Sequence, residues 1–367
     1  MIPRNDYDIM IVGGGPAGVS TWLNLHKYAP ELASKTILVE KEKYPRDKLC
    51  GGGLQKWMTQ KIFDNLHIDL NIPFVSINNM EIRLGEDVYT YKEKDFFRVI
   101  RRIEFDHYLA NTAMQRGLLI KENEKFLDVT HTSKGLLVKT NKTQYYTKIL
   151  VGADGALSTV RRKMNLLKKP NLAPTIEIFA PVNPRFDLEF DNHSAVLDFT
   201  AINKGLQGYV WHFPCLKDGK TFMNHGICDS RILPNIKRAN LKELFCQELL
   251  SRNIPYSPKS WRSHPIPYFR DSGILSKSNI LLVGDAAGIE PFLGGGIHLS
   301  LTYGAVAATT ILDAFKTDDF SFENYTKRVR DHYLGKYINK LTDIAKLVYS
   351  DNTKLINAAA QIMAYKH

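Results

Sequence analysis

The chain has 367 residues, 44% hydrophobic and 24% charged, enough for two or three structural units with buried cores. Lys and Arg total 49 against 38 Asp and Glu, a formal charge of +11, which favours anionic partners without choosing among nucleotide phosphates, lipid head groups and nucleic acid. The four cysteines, at 50, 215, 228 and 246, form no CxxC pair and no metal-like spacing with histidine, which argues against a disulfide framework and a metal site.

The opening MIPRNDYD reaches a strand too early to hold a signal peptide, and no apolar run approaches the ~18 residues of a membrane helix, so a cytoplasmic chain is expected. Tyr7 to Val12 reads as a buried strand, which turns on glycine into a helix ending near Pro30. KTILVEK follows as a second strand, and a right-handed β-α-β crossover sets the two side by side in a parallel sheet. Residues 80–100 alternate like antiparallel strands, RIEFDHYLANTAMQRG has helical spacing with a stop at Gly117, and strand character returns up to GADG. Between about 170 and 270 short alternating runs, SAVLDFTAI and GYVWHFP among them, predict a second sheet. SNILLVGDAAG reads as a strand entering a helix, and from Gly296 onward the pattern is helical.

Gly13, Gly15 and Gly18 form G-x-G-x-x-G between a strand and a helix, the context in which this motif carries meaning. The first glycine allows the tight turn, the second lets a pyrophosphate approach the backbone, and the third lets helix and strand pack. Unpaired N–H groups and the positive end of the helix then hold the diphosphate. Glu40, ending the second strand, is placed to accept hydrogen bonds from an adenosine ribose with a free 2′-hydroxyl. The late GDAAG repeats the strand-to-helix logic without a second fingerprint, which favours one large, permanently held cofactor over a diffusing one. Asp285 within it reads either as a cofactor ligand or as an N-cap of the helix that follows. Glycine triplets at 51–53 and 294–296 would let two loops lie against a ring.

GGGPAG with Glu40, PRDKLCGGG, RRIEFD, GADG and GDAAG…P…GGGI, in this order, resemble the FAD-dependent geranylgeranyl reductase family, within the larger p-hydroxybenzoate hydroxylase-like flavoproteins. The resemblance covers roughly residues 5–310. It implies a mixed α/β (α+β) fold with a discontinuous Rossmann-like FAD-binding domain at 1–75, 100–165 and 275–310. An antiparallel-sheet substrate domain would take 76–99 and 166–274, and C-terminal helices 311–367. It further implies that Gly13, Gly15, Ala17 and Gly18 line the FAD pyrophosphate and that Glu40 binds the ribose. Cys50, Gly51 and Gly53 would sit beside the isoalloxazine and ribityl groups, with Lys48 also binding the cofactor. Arg102 would reach its phosphate or ribityl region, Asp285 its ribityl chain, and Asp154 a second cofactor-proximal turn. Gly295, Gly296 and Ile297 would offer backbone N–H groups to the pyrimidine end of the flavin. Arg161 and Arg162 read either as a solvated basic face or as a dock for NADPH phosphates.

YVWHFP resembles the Y-x-W-x-F-P segment with which this family lines its prenyl-lipid pocket, and in a strand Tyr209, Trp211 and Phe213 share one face. The plain alternative is a sheet core. Two departures stand out: Cys215 follows Pro214 where the family has lysine, and HGIC arrives late with only Gly226 of an expected G-x-G. The activity implied is reduction of isolated C=C bonds of a prenyl lipid by hydride from reduced flavin, with NAD(P)H or another donor as reductant. Cys50 is the candidate catalytic side chain; His212 and His298 read as structural. A flavin monooxygenase is the competing expectation, while a halogenase would carry W-x-W-x-I-P. No nucleic-acid module is present. Peripheral contact with anionic membranes would suit the +11 charge and a lipid substrate. The stretch from Asn339 to the C-terminus is amphipathic, with a helix packed on the cofactor domain as the simpler expectation.

Overall fold

A computed structural model describes residues 6–166, 171–254, 256–269 and 273–350. Its first sheet grows around the apolar run Asp6–Val12, in which Ile9, Met10 and Ile11 are wholly buried. A strand buried on both faces needs cover on both, which crossover helices supply. Asp6–Val12 lies parallel to and between Thr36–Val39 and Gln144–Gly152. Leu119–Lys121 and Ile280–Leu282 extend the parallel part. Ser276–Lys277, Phe126–Thr132 and Gly135–Thr140 complete the eight strands by antiparallel pairing. One sheet therefore joins segments from both ends of the chain.

Two helices cross on this sheet. Pro16–Tyr28 starts directly after the glycine turn, where Gly13 has φ +104° and any Cβ would lie 2.4 Å from the Ala153 carbonyl oxygen. Gly296–Thr317 packs against it where Gly304 leaves no room for a Cβ, which would sit 2.6 Å from Ser20 Oγ. The Ser20 hydroxyl there donates to the Leu301 carbonyl at 2.7 Å. This close crossing helps bring both helix N-termini to one cavity. GDAAG departs from expectation: Gly284–Ala286 is a single 3₁₀ turn, and the helix begins only at Gly296. Asp285 is therefore not the N-cap of that helix.

The second sheet has seven strands in the order Thr175–Pro181, Lys220–Cys228, Val210–Lys217, Ser194–Asp198, Phe74–Leu84, Asp87–Ile100 and Gly53–Gln55. Its pairings are antiparallel except one, Ser194–Asp198 against Phe74–Leu84, which is parallel. Gly53–Gln55 and Phe74 lie in this sheet although the sequence grouped them with the first unit; a three-residue strand is too short for alternation to reveal. Ile176, Ile178, Val210 and Ile227 pack outward on Leu241, Phe245 and Leu249 of the helix Leu241–Ser251. Trp211 and Phe213, on the other face, join a core with Ile77, Ile82 and Leu197.

After Gly296–Thr317 come the helices Tyr325–Asp331 and Tyr333–Val348. Leu334 and Ile338 of the last helix pack in the core of the first sheet, while Leu341, Ala345 and Val348 pack in that of the second. It spans both sheets rather than lying on the cofactor unit alone. Residues 351–367 of the amphipathic stretch lie outside the described residues. No described helix is long and apolar enough to cross a membrane.

Gly226 stands opposite Trp211 across the antiparallel ladder, and a Cβ on it would fall 2.0 Å from the indole. The glycine lets the ring lie flat over the neighbouring strand. Gly226→Ala is expected to cost about 1–3 kcal/mol through displacement of Trp211, read by urea unfolding; a cost near zero would mean that the indole repacks freely.

Candidate active site

A cavity of ≈ 1230 Å³ is lined both by Gly13, Gly15, Ala17 and Glu40 of the first sheet and by Ile82, Leu197, Trp211 and Phe213 of the second. Cys50 to Gly53 and Gly294 to Ile297 contribute to the same wall. Its volume exceeds the roughly 300–1,000 Å³ of a pocket for one small ligand. The space suits two molecules meeting, or one long one.

On the nucleotide side, the glycine turn is held by its own acid. Glu40 accepts the Gly14 N–H at 2.8 Å and the Glu42 N–H at 3.1 Å. Arg46 lies 3.3 Å from Glu40 and 3.1 Å from Asp106, and Arg102 binds both oxygens of Asp106, at 2.6 and 2.7 Å. Tyr44 donates from its hydroxyl to the Gly14 carbonyl. Arg102 is deeply buried, yet the Asp106 carboxylate outweighs burial and holds its pKa above the usual value. A Cβ on Gly15 would meet nothing closer than the Arg46 and Arg102 tips, at 3.7 and 4.0 Å. The backbone is thus open toward two guanidinium groups, a surface suited to a diphosphate.

Lys48 binds Asp285 at 2.8 Å across the two ends of the chain. Burial alone would raise the Asp285 pKa, but Lys48 and then Arg102 bring it below the ordinary carboxylate value. His264, near Lys48, is pushed down to about 4 by burial and by that positive charge, and is neutral at pH 7. Asp154 lines the cavity, but its oxygens take the Ser158 hydroxyl at 2.5 Å and the Thr159 and Val160 N–H groups at 2.6 and 3.1 Å. Its side chain thereby secures the turn beside the cavity. Arg161 corrects both sequence expectations: it is buried and donates to the Ala156 and Ala286 carbonyls at 2.6 and 3.0 Å, joining GADG to GDAAG. Arg162 is the exposed one of the pair and reaches the cavity edge.

The two glycine triplets have local reasons as well. Gly52 has φ +82°, and a Cβ there would strike the Ile100 carbonyl oxygen at 2.0 Å. On Gly53 it would lie 2.4 Å from the Phe97 ring, and on Gly51 3.1 Å from Trp211 Nε1. Rings do press on this loop, and those the structure shows are the protein's own Phe97, Trp211 and Phe213. In the second triplet the expectation for Gly295 changes, because its N–H donates to Glu290 at 2.6 Å. Glu290 also takes the Phe292 and Leu293 N–H groups at 2.6 and 2.9 Å. Gly296 and Ile297 instead open the helix, where first-turn N–H groups have no carbonyl a turn earlier.

Tyr209, Trp211 and Phe213 all line the cavity and are buried. Tyr209 donates to the Leu293 carbonyl, linking this wall to the second triplet. Trp211 donates to Asn224 at 2.9 Å, and Asn224 donates on to the Cys50 carbonyl at 3.1 Å. Phe97 meets Phe213 edge-on at 5.8 Å. Tyr337, Leu341 and Ile344 of the last helix face the same space. Cys50 is half-buried in this wall, its Sγ accepting the Gly52 N–H at 3.4 Å. His212 points to the outer face, 2.8 Å from His225 and 3.0 Å from Glu248, away from the cavity. His298 does line the cavity, and burial lowers its pKa to about 4.

Sequence reasoning missed Arg46, Asp106, Asn224, His264 and Glu177. The i,i+4 spacing of Arg102 and Asp106 was a readable signal. Glu177 was readable too, as a lone acid in the apolar run TIEIFA. Asn224 and His264 carried none, since their roles depend on strand register and loop closure.

The fold and this site define an FAD-dependent oxidoreductase. A family model described as an FAD binding domain matches residues 6–171. A digeranylgeranylglycerophospholipid reductase of Thermoplasma acidophilum is 26% identical over 97% of this chain and 92% of its own. In structure, a geranylgeranyl bacteriochlorophyll reductase-like protein from the same organism aligns with TM-score 0.74 and 21% identity over 97% of this chain and 96% of its own. The halogenase PltM aligns with TM-score 0.73 and 14% identity over 97% and 80% of the two chains. These structural likenesses describe a shared fold. The chain thus carries an FAD binding domain and is similar over nearly its whole length to a reductase of the geranylgeranyl type.

Asp106→Ala would leave two buried guanidinium groups without their common partner. It is expected to destabilise the protein by about 3–5 kcal/mol, measured by urea unfolding; a loss under about 1 kcal/mol, the scale of an exposed pair, would show that these charges are effectively solvated.

Proposed function

We propose that the protein reduces isolated C=C bonds of a prenyl lipid of geranylgeranyl type. The observation that carries this reading is the single cavity shared by a dinucleotide-binding turn and an apolar, aromatic wall. The digeranylgeranylglycerophospholipid reductase among the relatives gives the substrate class. FAD, when bound and reduced, supplies the hydride.

The chain's part is binding, orientation and exclusion of water. Gly13, Gly15, Ala17 and Gly18, at the positive end of their helix, would hold the diphosphate, with Arg46 and Arg102 close by to complement its charge. Glu40 would accept from the ribose while keeping the glycine turn closed. The Lys48–Asp285 pair would meet the ribityl chain. Cys50, Gly51 and Gly53 on one loop, and Gly296 and Ile297 on the other, would flank the ring, the latter N–H groups stabilising negative charge at its pyrimidine edge. Tyr209, Trp211 and Phe213 would hold the hydrocarbon, with the last helix covering it. A chain threaded past Leu341 and Ile344 would present its double bonds to a fixed point. Arg162, at the cavity edge, remains the arginine placed to meet a phosphorylated nicotinamide donor.

The test is anaerobic. Flavin of the FAD-loaded protein is reduced with dithionite, a geranylgeranyl lipid is added, and the oxidised absorbance is followed. Return of that absorbance without oxygen, with a saturated product, is expected; flavin that stays reduced until oxygen is admitted would instead favour monooxygenation. Phe213→Ala is expected to raise KM about tenfold or more, as loss of a central aromatic anchor does, with FAD content unchanged.

A further inference from the structure

Five residues lie side by side across the second sheet: Ile82, Leu197, Trp211, Gly226 and Glu177. Ile82, Leu197 and Trp211 give apolar surface to the cavity, and the Trp211 indole covers Gly226. The fifth is a carboxylic acid. Glu177 lines the same cavity and is only 3% exposed. Its Oε1 is enclosed and accepts no hydrogen bond. Such a group is costly to bury and calls for an explanation.

The alternation of its strand sharpens the point. Ile176 and Ile178 point outward into the core beneath the helix Leu241–Ser251, so the intervening position points inward. A purely structural sheet would place another apolar side chain there.

Its surroundings fix the protonation state. Arg262, the Cys50 N–H and the Asn224 amide favour the carboxylate, whereas Asp47 disfavours it. Arg262 also spends its charge on Asp47 at 2.7 Å. Burial is the largest influence and pushes Glu177 up to about 7, so the acid form persists near neutral pH. A carboxylic acid with that affinity for its proton is poised for general acid catalysis.

We propose that Glu177 is the general acid of this cavity, giving its proton to one alkene carbon while the other receives hydride from reduced flavin. The inference rests on the alkene-reduction reading. In the step, the π bond breaks and two C–H bonds form. Flavin loses two electrons and the alkene gains them, and the Glu177 carboxylate then takes a proton from water. On this assignment Cys50, whose Sγ accepts the Gly52 N–H at 3.4 Å, shapes the loop rather than donating the proton.

The test compares wild type, Glu177→Gln and Cys50→Ala, each FAD-loaded and dithionite-reduced, in anaerobic reoxidation by a geranylgeranyl lipid. For wild type the rate should fall as pH rises through about 7, since the acid form is lost there. Glu177→Gln should be slower by roughly 10²–10⁴-fold and lose that pH dependence, whereas Cys50→Ala should keep it. A readout independent of turnover is infrared titration: wild type should show a carboxylic acid C=O band that disappears through about pH 7 and is absent from Glu177→Gln. If Glu177→Gln misfolds, the wild-type band and rate profile decide. A Glu177→Gln protein with the wild-type rate and profile, or a wild type lacking that band, overturns the assignment while leaving alkene reduction standing. Wild type that never reoxidises anaerobically overturns the alkene-reduction reading and the assignment with it.

Discussion

The site depends on a chain of buried charges, Glu40–Arg46–Asp106–Arg102, whose closest separations run from 2.6 to 3.3 Å. None of these groups can be left unpaired at such depth without a penalty of several kcal/mol. Pairing therefore fixes three segments together: the end of the second strand, the loop that leads to Cys50, and the helix Arg102–Gln115. Through Glu40 the chain also reaches Gly14, so that the position of the nucleotide turn follows from charge neutralisation as well as backbone geometry. The two carboxylates balance the two guanidinium groups, which line the cavity wall where a diphosphate would meet their remaining N–H groups.

A second set of hydrogen bonds ties this nucleotide side to the apolar side. Asn224 bridges Trp211 and the Cys50 loop, and Tyr209 holds the loop before the second triplet. Glu290 spends both oxygens on that loop. The two glycine-rich loops are thus held by residues of the second sheet and its neighbours. A change in the aromatic wall would be felt at both loops, which is the coupling that the proposed hydride transfer over a short distance would require.

The parts of this arrangement that were legible in the sequence are those carried by local pattern. The strand–glycine–helix start and the alternation of Tyr209, Trp211 and Phe213 depend on residues close in the chain. What was not legible depends on register. Gly226 looked like a family motif half lost, but it faces Trp211 across the ladder and makes room for the indole. Gly295 looked like a free donor, and Glu290, five residues back, takes its N–H. Arg161 read as surface charge or as a dock for phosphates, whereas it is buried and stitches two turns together. Contacts set by how loops and strands close on one another decided each of these, and no periodicity encodes them.

The central claim is that flavin and prenyl chain share the one cavity, and a crystal structure of the protein with FAD and a geranylgeranyl lipid tests it most directly. The account predicts electron density for the isoalloxazine ring between the Cys50–Gly53 and Gly294–Gly296 loops, with a double bond of the lipid lying against Trp211 and within reach of Glu177. Lipid density outside the cavity, or a ring bound away from those two loops, would contradict it.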